Sequence, residues 1–245
     1  MVKVGLIQTR AYRSNKEGIK HVTKLLDKAG HKKAEIICLP EQWLVENEIN
    51  DFNSEFSEFR EIAKKHKMTI IPGAFYKKSK KDLKIVSPII GPKGEIIGIQ
   101  EKIHPFDYEK KIVTPGREAK IFKTACEFGV VICYDMVFPQ VAEKFVKKGA
   151  KILFSPSRIV KRGIGPWNIY IQARSLENRI PIVAANVENR KYGGNSLIVD
   201  LVEKNEIMVP KISKIKGEGI IVKRFELQNY EKNRKIRYFD TREFF

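Results

Sequence analysis

Apolar residues in this chain switch between two spacings, and the switching starts at the N-terminus and continues to the end. MVKVGLIQT alternates apolar and polar positions, the period of a strand. Ser14, with Glu17 three residues later, reads as a capping box. The helix it opens carries Ile19, Val22, Leu26 and Ala29 at helical spacing, with Gly30 as its terminator. EIICL at 35–39 is a short apolar run, the mark of a buried strand. The same reading gives a helix through Phe52, Phe56, Phe59 and Ala63, a strand at 69–75, and strands at 85–90 and 96–100 around the turn GPKGE. Further strands are predicted at 127–132, 151–154, 182–185, 196–199, 207–209 and 219–225. One helix is predicted at 139–148, with Ala142 and Phe145 inward and Gly149 at its end. Another begins near Pro166, with Ile169, Ala173, Leu176 and Ile180 on one face. Residues 103–118 show no period and contain two prolines, so they form a loop long enough to suspect a function. The pattern is that of an α/β protein. No repeat or linker interrupts residues 1–245, which read as one domain.

With 42% hydrophobic residues the chain can bury a large core, which excludes disordered and disulfide-scaffold classes. Cys38, Cys126 and Cys133 are odd in number and sparse, as expected in a reducing compartment. The opening segment lacks the pattern of a signal peptide, and no apolar run approaches the ~18 residues of a membrane span. The expectation is a soluble cytoplasmic protein. Lys and Arg (47) against Asp and Glu (29) leave a net charge of +18. The lysines at 77–81 read as a solvated loop. Residues 211–237, with nine basic and three acidic side chains, form the best candidate phosphate-binding stripe. They match no nucleic-acid module, so the surplus reads as dispersed surface lysine and neither a nucleic acid nor a membrane is an expected partner.

His21, His31, His66 and His104 are scattered without metal-ligand spacing, and CxxC is absent, so no metal is expected. GxGxxG, P-loop and GxSxG motifs are absent too, and Gly193–Gly194 before Asn195 reads as a turn. The chemistry sits where strands stop. Glu41 follows EIICL and Pro40, Lys102 follows the strand at 96–100, and Cys133 follows the apolar run Val130–Ile132. A base, a cation and a thiol at three strand ends are the parts of acyl transfer through a covalent intermediate. Cys38, inside an apolar strand, reads as a small hydrophobe, and Cys126, beside Glu127 at a strand entry, has no evident partner base; both read as structural.

LPEQWL around Glu41, GIQEKIHPF around Lys102 and GVVICYDMVFPQ around Cys133 resemble, in order and spacing, the three signatures of the carbon–nitrogen hydrolase (nitrilase) superfamily. VKVGLIQT, VTPGRE, WNIYIQARSLENRIPIVAANV and DTREFF extend the resemblance over nearly the whole chain. It departs from the usual pattern at Val86–Ser87 and at DLVEKNE, where relatives often carry an asparagine and a proline–glycine turn. The resemblance implies a four-layer α-β-β-α sandwich, a catalytic Glu41–Lys102–Cys133 triad, and a second glutamate, Glu109, seven residues beyond Lys102. It also implies an oxyanion contact from the Tyr134 backbone N–H, a pocket lined by the SPSR segment with Ser157 and Arg158, and no metal or organic cofactor. The expected substrate is a small amide, with a nitrile or an N-carbamoyl compound as alternatives. A basic binding protein for nucleic acid or anionic surfaces is the alternative from another class. A homodimer or larger homo-oligomer is expected, with the aromatic tail YFDTREFF at its contact.

Overall fold

The computed structural model describes residues 1–80 and 82–240. In chain order its elements are β1 (Val2–Gln8), α1 (Asn15–His31), β2 (Ile36–Cys38), α2 (Phe52–Glu55), α3 (Ser57–His66), β3 (Thr69–Ile71), β4 (Phe75–Lys78), β5 (Leu83–Ile90) and β6 (Ile96–Glu101). The second half comprises β7 (Ile121–Lys123), β8 (Glu127–Val130), α4 (Pro139–Lys147), β9 (Ile152–Pro156), α5 (Ile164–Asn178), β10 (Ile182–Ala185), β11 (Leu197–Lys204), β12 (Ile207–Lys214), β13 (Gly219–Phe225) and α6 (Gln228–Phe239). One sheet runs β13-β1-β2-β3-β5-β4, with β6 also paired to β5; the other runs β12-β11-β10-β9-β8-β7.

The two-residue period of the strands builds the layers. Val4 and Leu6 of β1, Ile36 and Cys38 of β2, Phe128 and Val130 of β8, Phe154 of β9 and Val183 of β10 meet in a core between the sheets. Their neighbours in sequence point the other way. Ile7 and Ile37 pack under α1 and α3, while Leu153, Ile182 and Ala184 pack with α4 and α5. The central strands are therefore apolar on both faces, which is why EIICL and KILF show runs rather than alternation. The result is the α-β-β-α sandwich.

Several local expectations are revised. The Ser14 hydroxyl accepts from Glu17 N at 3.2 Å, but the Glu17 carboxylate accepts from Arg13 N at 3.0 Å, so the reciprocal bond of a capping box is displaced by one residue. Gly30 does not end α1. It lies inside the helix, where an added Cβ would come within 2.2 Å of the His66 ring; absence of a side chain, not backbone freedom, is what the site requires. Lys77 and Lys78 belong to strand β4 rather than to a loop, paired with Lys84 and Leu83, and Lys81 lies outside the described residues. The inward face of α5 is Trp167, Ile171, Arg174, Ser175 and Asn178, and Ile169 is 66% exposed. Arg174 donates to Met136 O and Asn178 to Arg174 O, so polar side chains with backbone partners take places that an apolar pattern would assign elsewhere.

The basic stretch 211–237 is divided among β12, β13 and α6, a helix that apolar spacing did not reveal. Lys223 pairs with Asp200 at 2.8 Å, and the Arg234 guanidinium donates to the carbonyls of Asn178, Arg179 and Ala150. Of DTREFF only Asp240 is described, and residues 241–245 lie outside the described residues. Among the described residues no helix is long and apolar enough to cross a membrane.

The strand expected at 69–75 breaks at Pro72–Gly73. Gly73 has φ +117°, and a Cβ there would stand 2.1 Å from the Pro40 carbonyl oxygen, immediately before Glu41. Gln42 N donates to Ala74 O at 2.9 Å, holding the two segments together. Gly73→Ala is expected to destabilise the protein by about 3 kcal/mol, from the left-handed strain plus the backbone clash. Urea denaturation checks this, and a loss below about 1 kcal/mol would contradict the close approach.

Candidate active site

Each of the three strand-end residues arrives on a different segment, and two of the segments come from the first sheet. Glu41 stands three residues beyond β2, 2% exposed, with its backbone N donating across the sandwich to Ser157 O at 3.2 Å. Lys102 directly follows β6, its N–H bonded to Ile85 O at 2.8 Å and its carbonyl accepting from Gly116 N at 2.7 Å. Cys133, from the second sheet, opens a short 3₁₀ turn (residues 133–137) after β8. It has φ +47°, a conformation uncommon for a residue with a Cβ, and this turns its side chain away from the strand direction.

Lys102 Nζ is the hub. It donates to Glu41 Oε1 at 2.9 Å and to Glu109 Oε2 at 2.8 Å. Glu109 sits in a second 3₁₀ turn, residues 107–111, within the loop expected at 103–118, and also accepts from Phe106 N at 2.7 Å. Burial disfavours the Lys102 charge, but Glu41, Cys133 and Glu109 outweigh it and hold the ammonium well above the ordinary lysine range. Burial and the Glu41 charge raise the Glu109 carboxyl against the pull of Lys102. Burial, then Glu41, pushes the Cys133 thiol far up, with Lys102 and the Arg158 backbone N–H opposing. A neutral thiol beside a carboxylate is the resting arrangement for base-assisted attack.

These groups open onto a cavity of about 350 Å³. Glu41, Lys102, Glu109, Cys133, Tyr134 and Arg158 all line it. Arg158 Nη2 donates to Tyr108 OH at 3.2 Å, and its guanidinium lies 5.0 Å from the centre of the Tyr192 ring. Among the described residues no carboxylate comes within ion-pair distance of Arg158. Ser157 departs from expectation: it is fully buried, its hydroxyl is 3.1 Å from that of Ser155, and it is not part of the cavity wall. Its contribution is the carbonyl that receives Glu41 N. Sequence reasoning missed Tyr108, Trp167, Tyr170, Lys191 and Tyr192 in the wall. Tyr108 adjoins Glu109, a proximity that offered a signal; the others come from segments far away in sequence.

Cys38 and Cys126 are buried between the sheets, and burial raises both thiols, Cys126 to about 12. Among the described residues Asp27, His31 and His66 bring metal-ligand side chains together, on α1 and α3. Lys65 and His66 already engage Asp27 Oδ1, each at 2.7 Å, and none of the three residues lines the cavity.

Paired sheets with reactive groups gathered at the strand ends define an enzyme of the layered α/β type. The chain belongs to the carbon–nitrogen hydrolase family, whose profile matches residues 3–202. It is 26% identical over 203 residues to an omega-amidase from Xenopus tropicalis, covering 75% of this chain and 74% of that protein. It is 31% identical over 199 residues to a probable nitrilase from Schizosaccharomyces pombe, covering 78% and 71%. The fold matches a carbon–nitrogen hydrolase from Helicobacter pylori G27 with a TM-score of 0.84 at 22% identity, over 98% of this chain and 95% of that one.

Lys102→Met would leave Glu41 and Glu109 buried without their shared cation. The expected loss is about 3–5 kcal/mol near pH 8. Without the ammonium, the already raised Glu109 carboxyl rises further, so the folded variant takes up protons more readily and the deficit shrinks as pH falls toward about 5. In the wild type, where the Lys102 pKa is raised, the stabilisation is fully present below the ordinary lysine range and is lost only at extreme alkaline pH. Denaturation at three pH values checks this; a deficit that does not change with pH would refute it.

Proposed function

We propose that the protein hydrolyses a small amide to a carboxylic acid and ammonia through a thioester on Cys133. The observation that carries this reading is Lys102 Nζ held between Glu41 and Glu109 in the wall of the cavity that Cys133 also lines. Glu41 takes the thiol proton as sulfur bonds to the amide carbon. Lys102 Nζ and the Tyr134 backbone N–H receive the oxyanion, a contact worth about 3 kcal/mol per donor. The C–N bond then breaks, the Glu41 proton leaves with nitrogen as ammonia, and the acyl group remains on sulfur. Water, deprotonated by Glu41, attacks the thioester and releases the acid and the free thiol. Glu109 orients Lys102 and the substrate. The second carboxylate and the omega-amidase relative favour an amide over a nitrile.

Arg158 extends the reading to a substrate with a carboxylate remote from the amide. Its guanidinium shares the cavity wall with Cys133 and is braced by Tyr108 and Tyr192. Monoamides of dicarboxylic acids are therefore expected to outperform neutral aliphatic amides. Arg158→Met should raise KM for the acidic amides about 10–100-fold, the worth of one charge-assisted contact, and leave neutral amides unchanged. The central test is hydroxylamine, which competes with water for a thioester and yields a hydroxamate. Wild-type protein should release ammonia and form hydroxamate, Cys133→Ala should do neither, and Glu41→Gln should lose at least about 10² in rate. Ammonia release that persists in Cys133→Ala would sink the mechanism. Faster turnover of matched nitriles would sink only the choice of amide.

The reading includes a homo-oligomer. Ile169 of α5 and Ile236 and Phe239 of α6 are exposed, and Phe239 belongs to the tail expected at the contact. Light scattering after size exclusion should give at least twice the 28.3 kDa chain mass at micromolar concentration; a monomer would contradict it.

A further inference from the structure

Two of the sequence signatures contain residues that the reaction scheme leaves unused: His104, two positions after Lys102, and Asp135, two positions after Cys133. The structure brings them together. Asp135 is 2% exposed, and its carboxylate accepts from Ile103 N at 3.1 Å, from His104 N at 2.7 Å and from His104 Nδ1 at 3.0 Å. A carboxylate offers lone pairs only, so the imidazole donates through Nδ1. The other side of the ring is held as well. His104 stacks on Phe138, with centroids 3.9 Å apart and planes 18° apart, and Phe138 N donates to Asp135 O at 3.2 Å.

We propose that Asp135, with His104, is a positioning residue that sets the separation of Lys102 and Cys133 by clamping the end of β6 to the turn after β8. Lys102 directly follows a strand of the first sheet and Cys133 opens the turn after a strand of the second, so the spacing of ammonium and thiol depends on how the two sheets are registered at this end. Apolar packing between sheets is non-directional and does not fix such a distance to a fraction of an ångström. Three directional bonds onto one carboxylate do, and they attach within one or two residues of the two groups concerned. The clamp also frames the cavity, because Tyr134, between Cys133 and Asp135, makes edge contacts with Phe106 at 5.0 Å and Phe138 at 5.2 Å. An aspartate is required rather than an asparagine: the amide of asparagine has one acceptor oxygen, and its NH₂ would face a backbone N–H.

This inference rests on the proposed roles of Lys102 and Cys133, and its test separates the two. Asp135→Asn and His104→Ala are compared with wild type in steady-state kinetics and in the pH dependence of iodoacetamide labelling at Cys133, followed by intact mass. A Val199→Ala core variant serves as a control for lowered stability. Asp135→Asn is expected to lower kcat about 30–100-fold with KM within about threefold, as for a displacement near 1 Å, and His104→Ala, losing one bond of three, about 3–10-fold. Labelling should shift to higher pH in both, because a loosened ammonium no longer favours the thiolate, and should stay as wild type in Val199→Ala. His104→Ala leaves the backbone bonds in place and keeps the test open if Asp135→Asn fails to fold. Unchanged kcat and labelling in a folded variant would overturn the clamp, as would a loss confined to KM or a shift shared by the core control. If wild type hydrolyses no amide yet the labelling still shifts, the proposed function falls and the clamp stands.

Discussion

Three deeply buried charged groups in the cavity wall constrain the rest of this molecule: one ammonium, Lys102, and two carboxylates, Glu41 and Glu109. An isolated ion in such a place would neutralise itself by gaining or losing a proton. Here each carboxylate bonds the same ammonium, and Glu109 gains a backbone N–H as well. One ammonium is thus shared by two carboxyl groups, of which Glu109 is raised by burial and by Glu41, next to a thiol that burial keeps protonated. That arrangement suits a site whose first act is to move a proton from sulfur to oxygen. It also makes the surrounding backbone unforgiving, since a shift at any of the three segments exposes a charge to an apolar neighbour.

The α/β alternation was legible in the sequence because the central strands are short apolar runs separated by helical spacing; the four layers were implied by the resemblance to carbon–nitrogen hydrolases, not by the spacing. Less legible were features set by partners distant in the chain. Gly30 looks like a terminator but is small because His66 packs on it. Arg174 and Asn178 look like solvent-facing residues but satisfy backbone carbonyls under α5. Helix α6 shows no apolar stripe because much of its attachment is polar, through Arg234 and through a Tyr238 hydroxyl bonded to Asn178.

The candidate site divides in the same way. Glu41, Lys102 and Cys133 stand at strand ends, where local pattern exposes them to inspection, whereas Glu109 was implied only by the resemblance to relatives that carry a second glutamate after the lysine. Arg158 was placed by its segment, and the cavity supplies its surroundings. The aromatic wall of Tyr108, Trp167, Tyr170 and Tyr192 comes from three separated stretches, and no single stretch carries a signature of its role. Ser157 illustrates the opposite error: a polar residue beside a pocket segment whose hydroxyl serves the loop itself.

The lysines of the outer strands carry one more consequence. β4 holds Lys77 and Lys78, β12 holds Lys211 and Lys214, β13 holds Lys223 and Arg224, and β7 ends on Lys123. Each of these strands ends the order of its sheet, although β4 is already covered at Tyr76 by backbone bonds to Asn47 and Ile49; backbone groups left open at such an edge are a template on which a foreign strand would grow. Lys123 and Lys223 are ion-paired with Glu127 and Asp200, and the other basic side chains on these edges oppose the docking of an identical edge from another molecule. Part of what composition records as basic charge thus lies along the borders where two sheets are most prone to polymerise, and its benefit would be felt in the crowded, partly folded states that precede the finished sandwich.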